Sequence, residues 1–145
     1  MHAMTINQLS IFIENKSGTL ITVLEKLKTS GIQIIAMSIA DTAEYGICRI
    51  ICDSPAIAYE RLKADGLAVS LCEVYAIQLD DTPGAAADAI SIFAHEGISI
   101  AYLYSFRIAG KGILIFRTDN PAKAEATIQH ENLPVISADG LAALL

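Results

Sequence analysis

The chain has 145 residues, 53% hydrophobic and 18% charged, with a formal net charge of −6. A composition this apolar excludes intrinsic disorder, and the acidic balance argues against a nucleic-acid partner, because phosphate binding needs a basic surface. No apolar run reaches the roughly 18 residues a membrane helix requires, and the start MHAMTINQ has neither the charged nor the apolar region of an export signal.

In chain order, residues 6–13 alternate with Leu9, Ile11 and Ile13 on one face, which predicts a strand. A turn over 15–18 follows, and Leu20, Val23, Leu24 and Leu27 then recur at helical spacing until Gly31 stops the helix. Residues 32–40 predict a long apolar strand, DTAEYG a turn, and 46–52 a further strand. Ser54 and Pro55 open a helix, as N-cap and first helical residue, with Ala58 and Leu62 inward. Residues 67–71 close this set as a strand.

The order then repeats: strand 74–79, turn 81–84, helix to His95, strand 98–108, hairpin AGKG, strand 113–118, a helix opened by Asn120, and a closing strand 133–136. The tail ADGLAALL predicts one extra apolar turn or short helix. An ungapped shift of 66 residues pairs 6–70 with 72–136. It aligns Gly18 with Gly84, Gly31 with Gly97, Gly46 with Gly112, Asp53 with Asp119 and Pro55 with Pro121. Glycine, aspartate and proline at matched turns share a backbone role, so they carry more weight than matched aliphatics. The fold class expected is α+β: two ferredoxin-like βαββαβ modules, residues 1–72 and 73–145, each an antiparallel sheet with helices on one face. The second strand of each module is apolar on both sides, so an apolar face or edge is expected to meet a partner.

Chemistry-bearing groups are sparse. His2, His95 and His130 lie at the chain start and at two helix ends, with no nucleophile or acid in a triad-like arrangement. Cys48 and Cys52 share a strand face and read as small buried apolar residues. The odd count of three cysteines, with Cys72, suits a reducing cytoplasm. No His or Cys cluster has metal spacing, and neither glycine turn has the lysine of a phosphate loop. No cofactor, no metal and no catalytic set is expected, and the chain is not read as an enzyme.

The repeated glycine turn is the remaining candidate. A helix N-terminus leaves its first amides without intrahelical acceptors and carries partial positive charge. Glycine lets the backbone approach a carboxylate there, while Asn15 or Asp81 offers a side-chain oxygen to an ammonium. Both poles of a free amino acid are thus provided for. Spacing alone leaves a second reading open, in which Gly18 and Gly84 only permit a tight strand-to-helix turn.

The stretch ENKSGTLITVLEKLKTSGIQI resembles the start of an ACT domain, a small-molecule-sensing module of amino-acid metabolic enzymes, and DDTPGAAADAISIFAHEGISI resembles a second copy. The resemblance covers residues 6–137. It implies a ligand held between two domains, touching the first turn of one and the start of the second strand of its neighbour. On this sequence the matching positions are Asn15, Lys16, Ser17, Gly18, Thr19, Leu20 and Gln33 in the first copy. In the second they are Asp81, Pro83, Gly84, Ala85 and Ser99. Ile13 stands where a serine-binding member has a ligand-contacting histidine, which points to a different, more apolar ligand. The function this implies is a cytoplasmic, non-catalytic regulatory protein that binds a free amino acid or similar small molecule at ACT-domain interfaces. It would be a homodimer that acts allosterically, on a metabolic enzyme or on its own assembly. The rival reading is a ligand-independent interaction subunit of such an enzyme.

Overall fold

The computed structural model describes residues 4–14, 17–41 and 45–145. It separates into two compact units, Asn7–Cys72 and a second comprising Glu73–Leu145 with residues 4–6. In the first unit the chain runs β1 (Ile6–Glu14), α1 (Thr19–Thr29), β2 (Ile34–Asp41), β3 (Tyr45–Cys52), α2 (Pro55–Ala64) and the first residues of β4 (Ala68–Leu79). The second continues with the rest of β4, then α3 (Ala85–His95), β5 (Ile100–Ile108), β6 (Lys111–Thr118), α4 (Pro121–His130) and α5 (Ala138–Ala142). Each is a βαββαβ-type module, so the tandem ferredoxin-like plan expected from the sequence is present.

Within the first unit β3 lies between β1 and β2, antiparallel to both. In the second, β6 lies between β4 and β5 in the same way. The expected closing strand over 133–136 shrinks to a single bridge, Ile77 to Val135, framed by Gln78 N–H to Pro134 O at 2.9 Å and Ile136 N–H to Ala76 O at 2.8 Å. Pro134 lacks the N–H that a longer ladder would need. Both second strands carry a bulge at equivalent positions, between Ile34 and Ala36 and between Ile100 and Tyr102. The bulge explains why alternation in these strands reads ambiguously: one extra residue exchanges the two faces.

Each unit has its own helix-facing core. Leu9, Ile11, Val23, Leu27, Ile50, Ala58 and Leu62 are fully buried in the first. The second is built on Tyr75, Ile77, Phe93, Leu114, Phe116 and Ile128. Met4 packs against this second core, and Gln129 donates to its sulfur at 3.8 Å. Tyr75 donates to Glu125 Oε1 and Pro121 O, each at 3.2 Å. Burial first, then the Glu125 carboxylate, raises its phenol above the ordinary value. On the edge strands, Met37 lies opposite Ile50 and Leu103 opposite Phe116, placing both on the helix-side face. They remain 38% and 47% exposed.

Candidate functional site

Both glycine turns adopt the backbone that only glycine takes without strain. Gly18 has φ 91° and Gly84 φ 84°, and each is the residue before its helix. Neither helix is capped by a side chain there. By contrast, Asn120 Oδ1 accepts from Lys123 N–H at 3.2 Å at the start of α4, and Ser137 Oγ accepts from Gly140 N–H at 3.1 Å at the start of α5. Ser54, the expected cap of α2, occupies the cap position without a side-chain cap bond. In the first turn the Thr19 hydroxyl donates to Glu14 O at 2.7 Å and the Thr22 hydroxyl to Gly18 O at 2.9 Å. The second has Ala85 and Asp88 in their places, and Asp88 puts an acid in the first turn of α3 where α1 has none. That carboxylate already complements the helix dipole and repels a second anion.

Of the residues proposed from sequence, Asn15 and Lys16 lie outside the described residues. Ser17 and Gly18 are exposed; Thr19 and Leu20 are half-buried, and Leu20 packs on the first core. Asp81, Pro83 and Gly84 are exposed and Ala85 is half-buried. Gln33 and Ser99 stand at the other end of their own modules, beyond the C-termini of α1 and α3. Since α1 has 11 residues, about 16 Å of helix separates Gly18 from that end. There a second repeated device holds the backbone. Asp53 Oδ1 accepts from Gln33 N–H at 3.1 Å, and Asp119 Oδ1 accepts from Ser99 N–H at 3.0 Å. The aspartate amides return the bond to Gln33 O and Ser99 O, each at 3.1 Å. Neither module by itself brings its glycine turn and its strand start to one place.

A cavity of about 410 Å³ lies beside the start of α1. It is lined by Ile13, Thr19, Thr22 and Leu67, with the tilted ring pair Phe12–Tyr45, centroids 5.8 Å apart, on its wall. Among the proposed residues it holds Thr19. The equivalent place in the second module, beside Gln78, Leu79, Ala85 and Asp88, is a smaller hollow of about 180 Å³. The second module also opens between its turn and strands β5 and β6. A space of about 670 Å³ is bounded by Asp81, Pro83, Gly84 and Ala85, and by Ser105, Arg107 and Gly112 of β5 and β6.

Arg107 is the residue that sequence reasoning missed. Its Nη1 meets Asp81 Oδ1 at 3.0 Å, and its Nη2 donates to Gly110 O at 3.4 Å. A signal for it exists in the ungapped repeat, where Arg107 replaces Asp41 and so reverses the charge beside the turn. Gly112 sits opposite Arg107. A Cβ there would meet Leu79 Cβ at 3.6 Å, so its absence leaves the floor open.

Other chemistry is sparse. Burial pushes Cys48 and Cys52 up to about 11, which keeps both as neutral thiols. His95 Nδ1 lies 2.8 Å from Ser91 O at the end of its helix, and His130 is an exposed neighbour of Glu131. Among the described residues no group of His, Cys, Asp and Glu is placed to hold a metal ion, and no helix is long and apolar enough to cross a membrane.

The sequence profile described as an ACT domain pair matches residues 4–145. Among solved structures, protein BT0572 from Bacteroides thetaiotaomicron is 36% identical, with a TM-score of 0.89 over 97% of each chain. The ligand-free regulatory subunit of aspartate kinase from Thermus thermophilus is 18% identical, with a TM-score of 0.59 over 85% of this chain and 88% of that one. Its counterpart from Thermus flavus is 19% identical, with a TM-score of 0.57 over the same shares. No curated protein matches. The profile spans nearly the whole chain, both glycine turns included, and the chain belongs to the ACT domain pair family.

Proposed function

We propose that this protein is a non-catalytic regulatory module that binds a free amino acid at its glycine turns. The observation that carries the reading is the 670 Å³ space around Gly84, which gathers Asp81, Pro83, Gly84 and Ala85, four residues singled out from sequence alone, beside uncapped helix amides. Binding would order the turn and transmit a coupling of about 1–3 kcal/mol to an assembly or a partner. By analogy with the aspartate kinase regulatory subunits that share the fold, the partner is a metabolic enzyme. The exposed Met37, Ile39 and Leu103 support a homodimer or such a partner. The free cysteines suit a reducing cytoplasm.

Calorimetry of the full chain against each of the twenty amino acids tests this. Binding of at least one, with a rise in melting temperature, is the expected result; silence from all of them at millimolar concentration overturns it. In that case the apolar edge positions favour the rival reading, a ligand-independent interaction subunit that is recognised by its stable association with an enzyme.

A further inference from the structure

The second cavity holds a feature that the turn alone does not explain: a fixed pair of opposite charges on one wall. Arg107 and Asp81 are 59% and 75% exposed, so solvent screens most of their mutual attraction. Among the described residues Asp81 is engaged through Oδ1 only, leaving Oδ2 to accept. Arg107 has five donors, of which one goes to Asp81 and one to the Gly110 carbonyl. That carbonyl belongs to the β5–β6 hairpin, with Ala109 at φ 51° and Gly110 at φ 75°, so the guanidinium is tethered through Nη2 to the hairpin and through Nη1 to Asp81.

Resting on the amino-acid reading above, we propose that Arg107 is the carboxylate anchor of the second site. It acts with Asp81 to recognise the complete zwitterion of an α-amino acid. Asp81 Oδ2 takes the α-ammonium and the remaining Arg107 donors take the α-carboxylate. The four charges then alternate around a closed ring, and the existing ion pair is retained. Arginine suits this role because its planar fork matches a carboxylate with two parallel bonds. The start of α3 suits it less, because Asp88 already occupies the first turn with negative charge. Gly112 supplies the space next to the guanidinium, since any larger side chain there would project beside Leu79. The Ser105 hydroxyl, on the same face two residues away, is left for the ligand's own side chain. Such a site requires both poles, so it discriminates against amines without the carboxylate and against acids whose nitrogen is acylated.

The test uses the full ¹⁵N-labelled chain titrated with each of the twenty L-amino acids, following the Gly84 amide and the Arg107 Nε–H resonance. For each amino acid that responds, its decarboxylated amine and its N-acetyl derivative are titrated as well. The two resonances are expected to shift together. Arg107→Gln is expected to weaken binding about tenfold, the worth of a hydrogen bond to a charged group. It should also erase the preference for the amino acid over its amine. Asp81→Asn erases the preference over the N-acetyl derivative, and Arg107→Lys restores part of the loss. Unchanged affinity and preference in Arg107→Gln, with Gly84 still responding, overturns the role of Arg107 and leaves the amino-acid reading standing. A response confined to residues 17–20 does the same. No response anywhere overturns both.

Discussion

The two modules share a backbone and differ in lining. Gly18 and Gly84, the bulges in β2 and β5, and the Asp53 and Asp119 clasps recur at matched positions. The first turn is bordered by threonine hydroxyls and a Phe12–Tyr45 pair. The second is bordered by Asp88 and by the Asp81–Arg107 pair. The cores diverge too: Leu9, Leu27 and Ile50 are matched by Tyr75, Phe93 and Phe116, whose rings pack with centroids 5.6 and 5.1 Å apart. Residues that dictate φ and register are kept, while residues that only fill or line space have drifted. The two glycine turns therefore share a backbone while presenting different side chains around it.

The core difference is the first place to break the comparison. Phe93→Ala should cost about 3–5 kcal/mol and Leu27→Ala about 2–5 kcal/mol, since both side chains are fully buried. Urea denaturation of the two variants checks the order, and a costlier Leu27→Ala would refute the view that the aromatic core is the more demanding. Next come the turns. A Cβ at Gly18 or Gly84 meets nothing within 4 Å, so Gly18→Val and Gly84→Val should each lose only the left-handed strain of about 1–2 kcal/mol. Equal losses in thermal melts, paired with loss of ligand response in the altered module alone, would sharpen the contrast in lining.

Helix capping separates the modules by a smaller amount. Asn120→Ala should cost about 1 kcal/mol, whereas Ser54→Ala, whose hydroxyl makes no cap bond, should cost less than half of that. Equal effects in denaturant titrations would show that Ser54 caps in solution. The pH dependence is graded last. The thiols of Cys48 and Cys52 move from an ordinary 9.0 to about 11 in the folded chain. Between those values the unfolded chain has released protons that the folded one keeps. Stability is therefore fully present below pH 9 and falls as pH rises towards 11. The matched residues in the second module, Leu114 and Thr118, do not titrate there; its loss begins only near the ordinary phenol value of 10.0, through Tyr75. Melting under reductant across this range, with Cys48→Val and Cys52→Val, should show the earlier onset disappear.

Much of this was legible in advance, for reasons that differ by residue. The repeat register exposed the turns because a φ near 90° strains any residue that carries a Cβ, so glycine recurs at both 18 and 84. Helix faces were legible because 3.6-residue spacing buries Val23 and Leu27, or Ala89 and Phe93, on one side. The closing strand was overestimated, because Val135 and Ile136 read as strand while Pro134 removes a donor from the ladder. The starts of β2 and β5 lie two residues later than expected because the backbone groups of Gln33 and Ser99 are taken by Asp53 and Asp119. In the site, Asp81, Pro83, Gly84 and Ala85 are contiguous and easily seen. Arg107 is 26 residues away from Asp81, and nothing local marks it.

By itself the sequence determined the number of modules, the order of their elements, the two left-handed turns and the apolar helix faces. All of these depend on backbone freedom and periodicity, which act over a few neighbouring residues. Only the tertiary structure decided which cavity opens beside Gly84 and that a guanidinium closes on Asp81. Strand pairing joins residues distant along the chain, and the charge that one hairpin end carries to another element is set by sheet register, which no local pattern encodes.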